Sequence, residues 1–387
     1  MPERTAESTH ITGLFTGLAS VGGVQEASRV SAVAINEIAR RRGWSTDFTS
    51  LNDASGPQAL RVGDRELAFQ GFSRRKMAFA KAAVGRARSA MGTRHIIFAG
   101  HPNLAPIAVW MQKTSPRARA IVVTHGVEVW KPLPILRRAT LRNAFLVVAP
   151  STDTIERLVK IQRVPAERTR TLPWPLSPSF LRFAEAPAAL PLPSGFPAGE
   201  VVLTVGRAVA SEQYKGTDRL IEAFAQIKTD FPTVQLVSIG GGDDLPRLEA
   251  LAKNLGVTER VHFLRDIPRE QIAACYAHAE IFALPSTGEG FGIVFLEAMA
   301  FAKPVIAVAA GGARDLVRDE VNGLLVPARD SVALAAALRR LLGDKRLRDS
   351  LGRRGASLVR DSYQFDSFRD QVEHILDECA LDSRMRG

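Results

Sequence analysis

The stretch Ser286-Thr287-Gly288-Glu289-Gly290-Phe291-Gly292-Ile293-Val294-Phe295-Leu296-Glu297-Ala298-Met299 sets two carboxylates eight positions apart across a glycine-rich turn. Before it, Ile281-Phe282-Ala283-Leu284 is an apolar run of strand length that stops at Pro285; after the glycines, Ile293, Leu296 and Ala300 recur at helical spacing. The segment therefore reads as strand, loop and helix. Backbone N–H groups at a helix start have no intrahelical partners, and with the helix dipole they suit phosphate oxygens. Glu289 falls in the loop and Glu297 roughly a turn inside the helix, at about 1.5 Å of rise per residue. One carboxylate can face a sugar and the other a ribose. Taken alone, the pair also fits a solvated loop residue and an ordinary helix residue.

The 387 residues suggest two domains of common size, and 46% hydrophobic with 24% charged residues fits a globular protein. Met1 to His10 shows neither a basic n-region nor an apolar h-region, and no apolar run approaches the roughly 18 residues of a spanning helix. A cytoplasmic location is expected. With only Cys275 and Cys379, neither a disulfide framework nor a cysteine zinc cluster is available, and both read as buried or partly buried thiols.

The net charge of +11 is unevenly placed: residues 1–178 hold 26 Lys and Arg against 12 Asp and Glu, whereas residues 179–387 hold 25 against 28. The densest patches are Arg40-Arg41-Arg42; Arg74, Arg75, Lys76, Lys81, Arg86 and Arg88; and Lys131 with Arg137, Arg138 and Arg142. The last two flank apolar residues such as Met77, Phe79, Leu133, Ile135 and Leu136, a composition that fits either a solvated basic face or a surface lying on anionic lipid. No basic stretch carries interleaved stacking aromatics, so nucleic acid is not an expected partner.

Strand-like runs at 10–15, 46–51, 95–99, 120–124 and 145–149 alternate with helical patterns such as Val24 to Arg42, predicting a doubly wound α/β domain over 1–178. Pro173, Pro175, Pro178, Pro187, Pro191, Pro193 and Pro197 then crowd a segment that reads as an interdomain linker, 179–198, without packed secondary structure. A second alternation, with strands at 201–205, 234–239, 261–264, 281–284 and 304–308, predicts another parallel-sheet domain over 199–360. The tail 361–387 has helical apolar spacing and is expected to pack back across the domain junction.

Ligands of open α/β sheets bind beyond the carboxyl ends of strands, which is where Arg207 and, past Tyr214, Lys215 fall. Two cations there can clamp a diphosphate and neutralise charge on a leaving group, work that a divalent metal does elsewhere. Gly22-Gly23 leads into the first helix, an N–H-rich turn suited to a phosphate, or simply a tight connection. His125 directly follows a strand and can hydrogen-bond a sugar hydroxyl or developing charge; His101 is a weaker instance of the same placement.

Gly206-Arg207, Tyr214-Lys215-Gly216, Gly240-Gly241-Gly242, the Glu289-to-Glu297 unit, Pro304-Val305-Ile306-Ala307, Gly311-Gly312 and Asn322-Gly323-Leu324-Leu325-Val326 occur in an order that resembles the retaining glycosyltransferases of the GT-B fold, family 4. The likeness covers nearly all of 201–343 and is thinner in the first half, resting on Gly22-Gly23, His125-Gly126-Val127-Glu128 and Ala149-Pro150-Ser151. The resemblance implies two Rossmann-like domains facing a cleft, no bound metal and no cofactor beyond the nucleotide-sugar donor. It also implies that Arg207 and Lys215 bind the donor diphosphate, Glu297 the ribose hydroxyls and Glu289 the transferred sugar. Gly290, Phe291, Gly292, Ile293 and Val294 would offer backbone N–H groups to sugar and phosphate, Gly22 and Gly23 would approach the donor, and His125 would sit beside the reacting sugar.

Three positions depart from that pattern. Pro173-Trp174-Pro175 replaces the usual Asn-Gly pair at the domain crossing, Ala302 stands where glycine is usual, and Arg265 replaces a glycine after Phe263-Leu264, where it can alter the base pocket. The function expected is transfer of a hexose, mannose favoured and GDP the nucleotide, to a lipid-linked or phosphate-bearing acceptor in polysaccharide or glycolipid assembly, at the inner membrane face if the basic half binds lipid. A sugar-nucleotide epimerase of the same fold and a non-catalytic membrane-associated subunit are the alternatives. A nicotinamide dehydrogenase is disfavoured, because no Gly-x-Gly-x-x-Gly follows a strand.

Overall fold

The computed structural model describes residues 8–20, 22–62 and 65–381. The chain divides into two compact units, Met1–Ser177 with Phe365–Gly387, and Pro178–Gln364.

The first unit is built on an eight-stranded sheet of β1 (Thr9–Phe15), β2 (Ser45–Ser50), β3 (Gly56–Val62), β4 (Arg65–Gly71), β5 (Arg94–Ala99), β6 (Ala118–Val123), β7 (Leu146–Ala149) and β8 (Thr169–Thr171). Their order is β3-β4-β2-β1-β5-β6-β7-β8. Every pairing is parallel except the β3–β4 hairpin at one edge. The central strands are near-continuous apolar runs, as strands covered on both faces must be. Strand order reverses between β1 and β5, so the loops leaving those two strands diverge and open a crevice.

The C-terminal helix Phe365–Leu381 belongs to this unit and packs on the helix Gly23–Arg42. It buries Phe368, and ion pairs link Glu373 to Arg41 and Arg42, Asp377 to Arg42, and Glu378 to Arg170.

The second unit carries β9 (Val201–Val205), β10 (Gln235–Ile239), β11 (Val261–Leu264), β12 (Ile281–Leu284), β13 (Val305–Val308) and β14 (Gly323–Val326). All pair in parallel in the order β11-β10-β9-β12-β13-β14, reversing between β9 and β12. Val202, Leu236, Ile281 and Ile306 from the sheet and Leu220, Phe224, Leu334 and Leu338 from its helices share one core.

The proline-rich segment differs from expectation. Pro178–Glu185 is a helix within the second unit, with Phe180 fully buried edge-on to Tyr276 and Phe301 at ring separations of 6.1 and 5.9 Å. Pro178 opens the helix, where a missing N–H forfeits no bond, and the next proline is Pro187, so the intervening residues are free to coil.

Candidate active site

The β9–β12 reversal of the second unit gathers most of the chemistry-bearing residues. Past β9, Gly206 and Arg207 lead through a short 3-10 stretch, Ala210–Lys215, into the helix Thr217–Gln226. Past β12, the loop from Pro285 runs to the helix Ile293–Ala300. The two loops are tied by the Thr287 N–H, which donates to the Tyr214 carbonyl at 2.8 Å. Lys215 thereby reaches Glu289, Nζ to Oε1, at 2.9 Å, both side chains largely buried. Burial pushes the Lys215 ammonium down, but the charge and hydrogen bond of Glu289 outweigh it and the net shift is upward. The Glu289 backbone is fixed independently, its carbonyl accepting from the Gly312 N–H at 2.7 Å.

Gly292 caps the following helix at φ 95°, a left-handed conformation that favours glycine. Glycine has no side chain to cap with, so the first-turn N–H groups of Ile293 and Val294 face outward as a site for anionic oxygens. Phe291 is buried, its ring 6.1 Å from that of Tyr363. Glu297, only 8% exposed, accepts from the Tyr276 hydroxyl at 3.1 Å and from Arg269 Nη2 at 3.4 Å.

Arg207 stands apart from this pair. It is bonded to Glu212, and its side chain is 72% exposed. Each of the two expected diphosphate cations thus holds a carboxylate of its own in this structure. Arg265 is turned to Glu249 at 2.8 Å, and Ala302 sits at φ 53°.

In the first unit, Gly22 precedes the helix Gly23–Arg42 at φ 150°, and a Cβ there would come within 2.2 Å of Gln25 Oε1. The loop before it is held by a buried carboxylate: Asp53 Oδ2 accepts from the N–H of Leu18 at 2.6 Å, of Ala19 at 3.2 Å and from the Ser50 hydroxyl at 2.6 Å. Arg29 adds bonds to the carbonyls of Leu18 and Ser20.

His125 follows β6 and lies between two rings, His101 at 5.7 Å and Trp174 at 5.6 Å, both stacked. Its Nε2 is 2.9 Å from the Gly100 carbonyl, so Nε2 carries the proton and Nδ1 the lone pair. Burial, opposed by that hydrogen bond, pushes the imidazole down to about 4; burial and His125 together push His101 to about 4 as well. His125 is therefore neutral at pH 7, and its free ring nitrogen accepts a hydrogen bond rather than donating one.

Sequence reasoning missed Tyr276, Arg269, Asp53 and Glu212. The apolar face of the helix Arg269–His278 shows only that Tyr276 is interior, not that its hydroxyl meets a carboxylate from another helix. Asp53 had a usable signal, an acid directly after a strand in an otherwise basic half.

Residues 195–358 match the family described as Glycosyl transferases group 1. The chain is 33% identical over 285 residues to a GDP-mannose-dependent alpha-(1-6)-phosphatidylinositol monomannoside mannosyltransferase of Mycolicibacterium smegmatis, covering 70% of this chain and 74% of that one. It is 38% identical over 197 residues to a D-inositol 3-phosphate glycosyltransferase of Salinispora tropica, over 49% of this chain and 40% of that one. Among solved structures, a sucrose-phosphate synthase from Thermosynechococcus elongatus superposes with a TM-score of 0.72 at 23% identity, over 95% of this chain and 98% of that one. The chain belongs to the group 1 glycosyltransferases and has their GT-B fold of two Rossmann-like domains.

Proposed function

We propose that this glycosyltransferase moves mannose from GDP-mannose to a hydroxyl of a lipid-linked or phosphate-bearing acceptor, with retention of the anomeric configuration and without a metal. The observation that carries this reading is the Lys215–Glu289 pair, which sits beside an uncapped helix start at the carboxyl ends of β9 and β12. A carboxylate already ordered by a cation is suited to hold sugar hydroxyls, and that cation is suited to charge on a departing diphosphate.

In this reading Lys215 and Arg207 hold the diphosphate, exchanging their present carboxylate partners in part for phosphate oxygens. Gly290, Phe291, Gly292, Ile293 and Val294 supply backbone N–H groups to sugar and phosphate, and Glu297 accepts from the ribose hydroxyls. Glu289 orients the sugar and does not attack it. The acceptor enters on the face the diphosphate leaves, and the diphosphate takes its proton. In the first unit, Gly22 and Gly23 allow close backbone approach to the donor, and His125 Nδ1 accepts from a substrate hydroxyl. The donor choice rests on the mannosyltransferase relative, and the acceptor class on the names of both relatives together with the basic first half.

Among the described residues no helix is long and apolar enough to cross a membrane. Peripheral attachment is supported by Met77, 85% exposed, in a helix that starts at Lys76 and is preceded by Arg74 and Arg75, and by Ile135 and Leu136, 81% and 71% exposed, beside Arg137 and Arg138.

Thermal-shift screening against GDP-, UDP- and ADP-sugars tests the donor, since a bound ligand raises the melting temperature by mass action. GDP-mannose is expected to give the largest shift and, with a phosphorylated inositol or its lipid as acceptor, an α-linked product by NMR. A shift with a UDP- or ADP-sugar and none with GDP-mannose overturns the donor assignment; donor turnover without acceptor points to an epimerase.

A further inference from the structure

Tyr276 is a buried titratable group for which the transfer chemistry has no use. It is 0% exposed, and its ring is enclosed by Phe301 (stacked, 6.2 Å), Phe282 (5.6 Å) and Phe180 (edge-on, 6.1 Å). A ring so packed cannot swing without opening the core, so the position of its hydroxyl is set by the fold. That hydroxyl lies 3.1 Å from Glu297 Oε2, and because an ionised carboxylate only accepts, the phenol donates. Burial first, then the neighbouring carboxylate, pushes the phenol well above its ordinary range, which keeps the donating proton in place.

Arg269 lies on the same helix, Arg269–His278, seven positions earlier and so about two turns away on the same face. Its Nη2 is 3.4 Å from Glu297 Oε1, and its guanidinium sits over the Phe180 ring at 5.1 Å. One helix thus presents a donor to each oxygen of a carboxylate carried by another. Leaving that carboxylate buried and unpaired would be costly, and the phenol and the guanidinium each hold one of its oxygens.

We infer that Tyr276, assisted by Arg269, is a positioning residue for donor recognition: its hydroxyl fixes the Glu297 carboxylate at the angle that receives the donor's ribose hydroxyls. The inference rests on the assignment of Glu297 to the ribose made above. Without the phenol, the carboxylate can turn about its terminal torsion, and contact with the ribose is weakened while the reacting sugar is untouched.

The test is Tyr276→Phe, which keeps the ring and its packing. Steady-state kinetics with GDP-mannose and with its 2′,3′-dideoxyribose analogue should show the KM for GDP-mannose rising on the order of tenfold, as for loss of a hydrogen bond to a charged group. The kcat should stay within about twofold, and the KM for the dideoxy analogue should hardly change. Arg269→Ala should move the same ratio less, with recovery in Arg269→Lys, and Tyr276→Phe should add nothing in a Glu297→Gln background. An unchanged KM in Tyr276→Phe, or an equal rise for both donors, overturns the positioning role. If Glu297→Gln raises the KM while Tyr276→Phe does not, only the positioning role falls; if Glu297→Gln is itself silent, the ribose assignment fails and this inference with it.

Discussion

Lys215 and Glu289 are 74 positions apart in the sequence and 2.9 Å apart in space, a contact made because β9 and β12 are neighbours at the reversal of strand order. The pair is polar on both sides and mostly withdrawn from water, so each member depends on the other more than an exposed ion pair does. Lys215→Ala should reduce transfer on the order of 100-fold, as for removal of one preorganised electrostatic group, with a measurable fall in melting temperature because Glu289 loses its cation. Arg207→Ala, altering an exposed side chain, should cost less activity, roughly tenfold, and no stability. Kinetics with and without EDTA check the assignment. Near-normal turnover in Lys215→Ala, or loss of wild-type activity in chelator with rescue by Mg²⁺, removes the cation mechanism.

Glu289 and Glu297 should separate kinetically. Glu297→Gln replaces an acceptor-only group by an amide that has one acceptor oxygen, so donor KM is expected to rise with kcat little changed. Glu289→Gln keeps the size of the side chain but weakens its bond to Lys215, and the loss should fall mainly on kcat. Michaelis constants for both variants decide this; a Glu289→Gln enzyme with normal kcat and raised donor KM would reverse its role.

Ala302 occupies a left-handed backbone conformation, φ 53°, at a position where an L side chain is strained. Ala302→Gly relieves a penalty of about 1–2 kcal/mol and incurs about 0.4–1 kcal/mol through the unfolded chain, so the variant should be more stable by roughly 0.8 kcal/mol at the middle of those ranges and by about 1.6 kcal/mol at most. The opposite holds at Gly352, inside the helix Lys345–Ser362, where a Cβ would stand 1.9 Å from the Ala302 carbonyl oxygen. Alanine improves most helix interiors, yet Gly352→Ala should destabilise. Urea midpoints of the two variants should move in opposite directions.

The strands from β5 to β7 and from β9 to β13 were legible because apolar runs of strand length, bounded by polar or proline residues, have few other uses in a parallel sheet. The β3–β4 hairpin was not. Gly56–Val62 lies half in solvent, begins Gly-Pro and mixes charge with apolar residues, so its pattern resembles a loop. Lys215 and Glu289 could each be placed one at a time, in the loops that follow β9 and β12. Their contact was not legible, since nothing local says that β9 and β12 are adjacent. Trp174 read only as part of a departure from the usual Asn-Gly pair; its stacking on His125 is a tertiary fact without a local signature.

Three imidazoles, His95 buried and His101 and His125 half-buried, give stability a specific pH dependence. His95, His101 and His125 are each pushed down to about 4, by burial first. The unfolded chain protonates them near 6.5, so between about pH 6.5 and 4 it binds more protons than the folded chain, and stability rises with pH there. Their contribution is complete above that window and is lost as pH falls through it. Urea midpoints should be flat from pH 8 to 7 and decline from pH 6.5 to 5, above the range in which carboxylates titrate. A His125→Gln variant should decline less steeply; an identical slope would mean that this imidazole is not buried neutral.

The basic helices of the first unit supply the last prediction. Arg74, Arg75, Lys76, Arg137 and Arg142 are exposed, with Arg138 partly so, and each lies close in sequence to exposed Met77, Ile135 or Leu136. Each Lys or Arg close to an anionic surface contributes about 1 kcal/mol, so several together can hold the protein to lipid reversibly, with the apolar side chains adding contact. Replacing Arg74, Arg75, Arg137 and Arg138 by Ser should release the protein from vesicles containing anionic lipid and lower transfer to a lipid acceptor. Donor binding, read as the thermal shift with GDP-mannose, should be unchanged. Sedimentation with vesicles at 50 mM and 500 mM NaCl is the check, because screening should weaken attachment through surface charges. Absence of vesicle binding by the wild type at low salt, or binding indifferent to salt, would show that this face serves solubility alone.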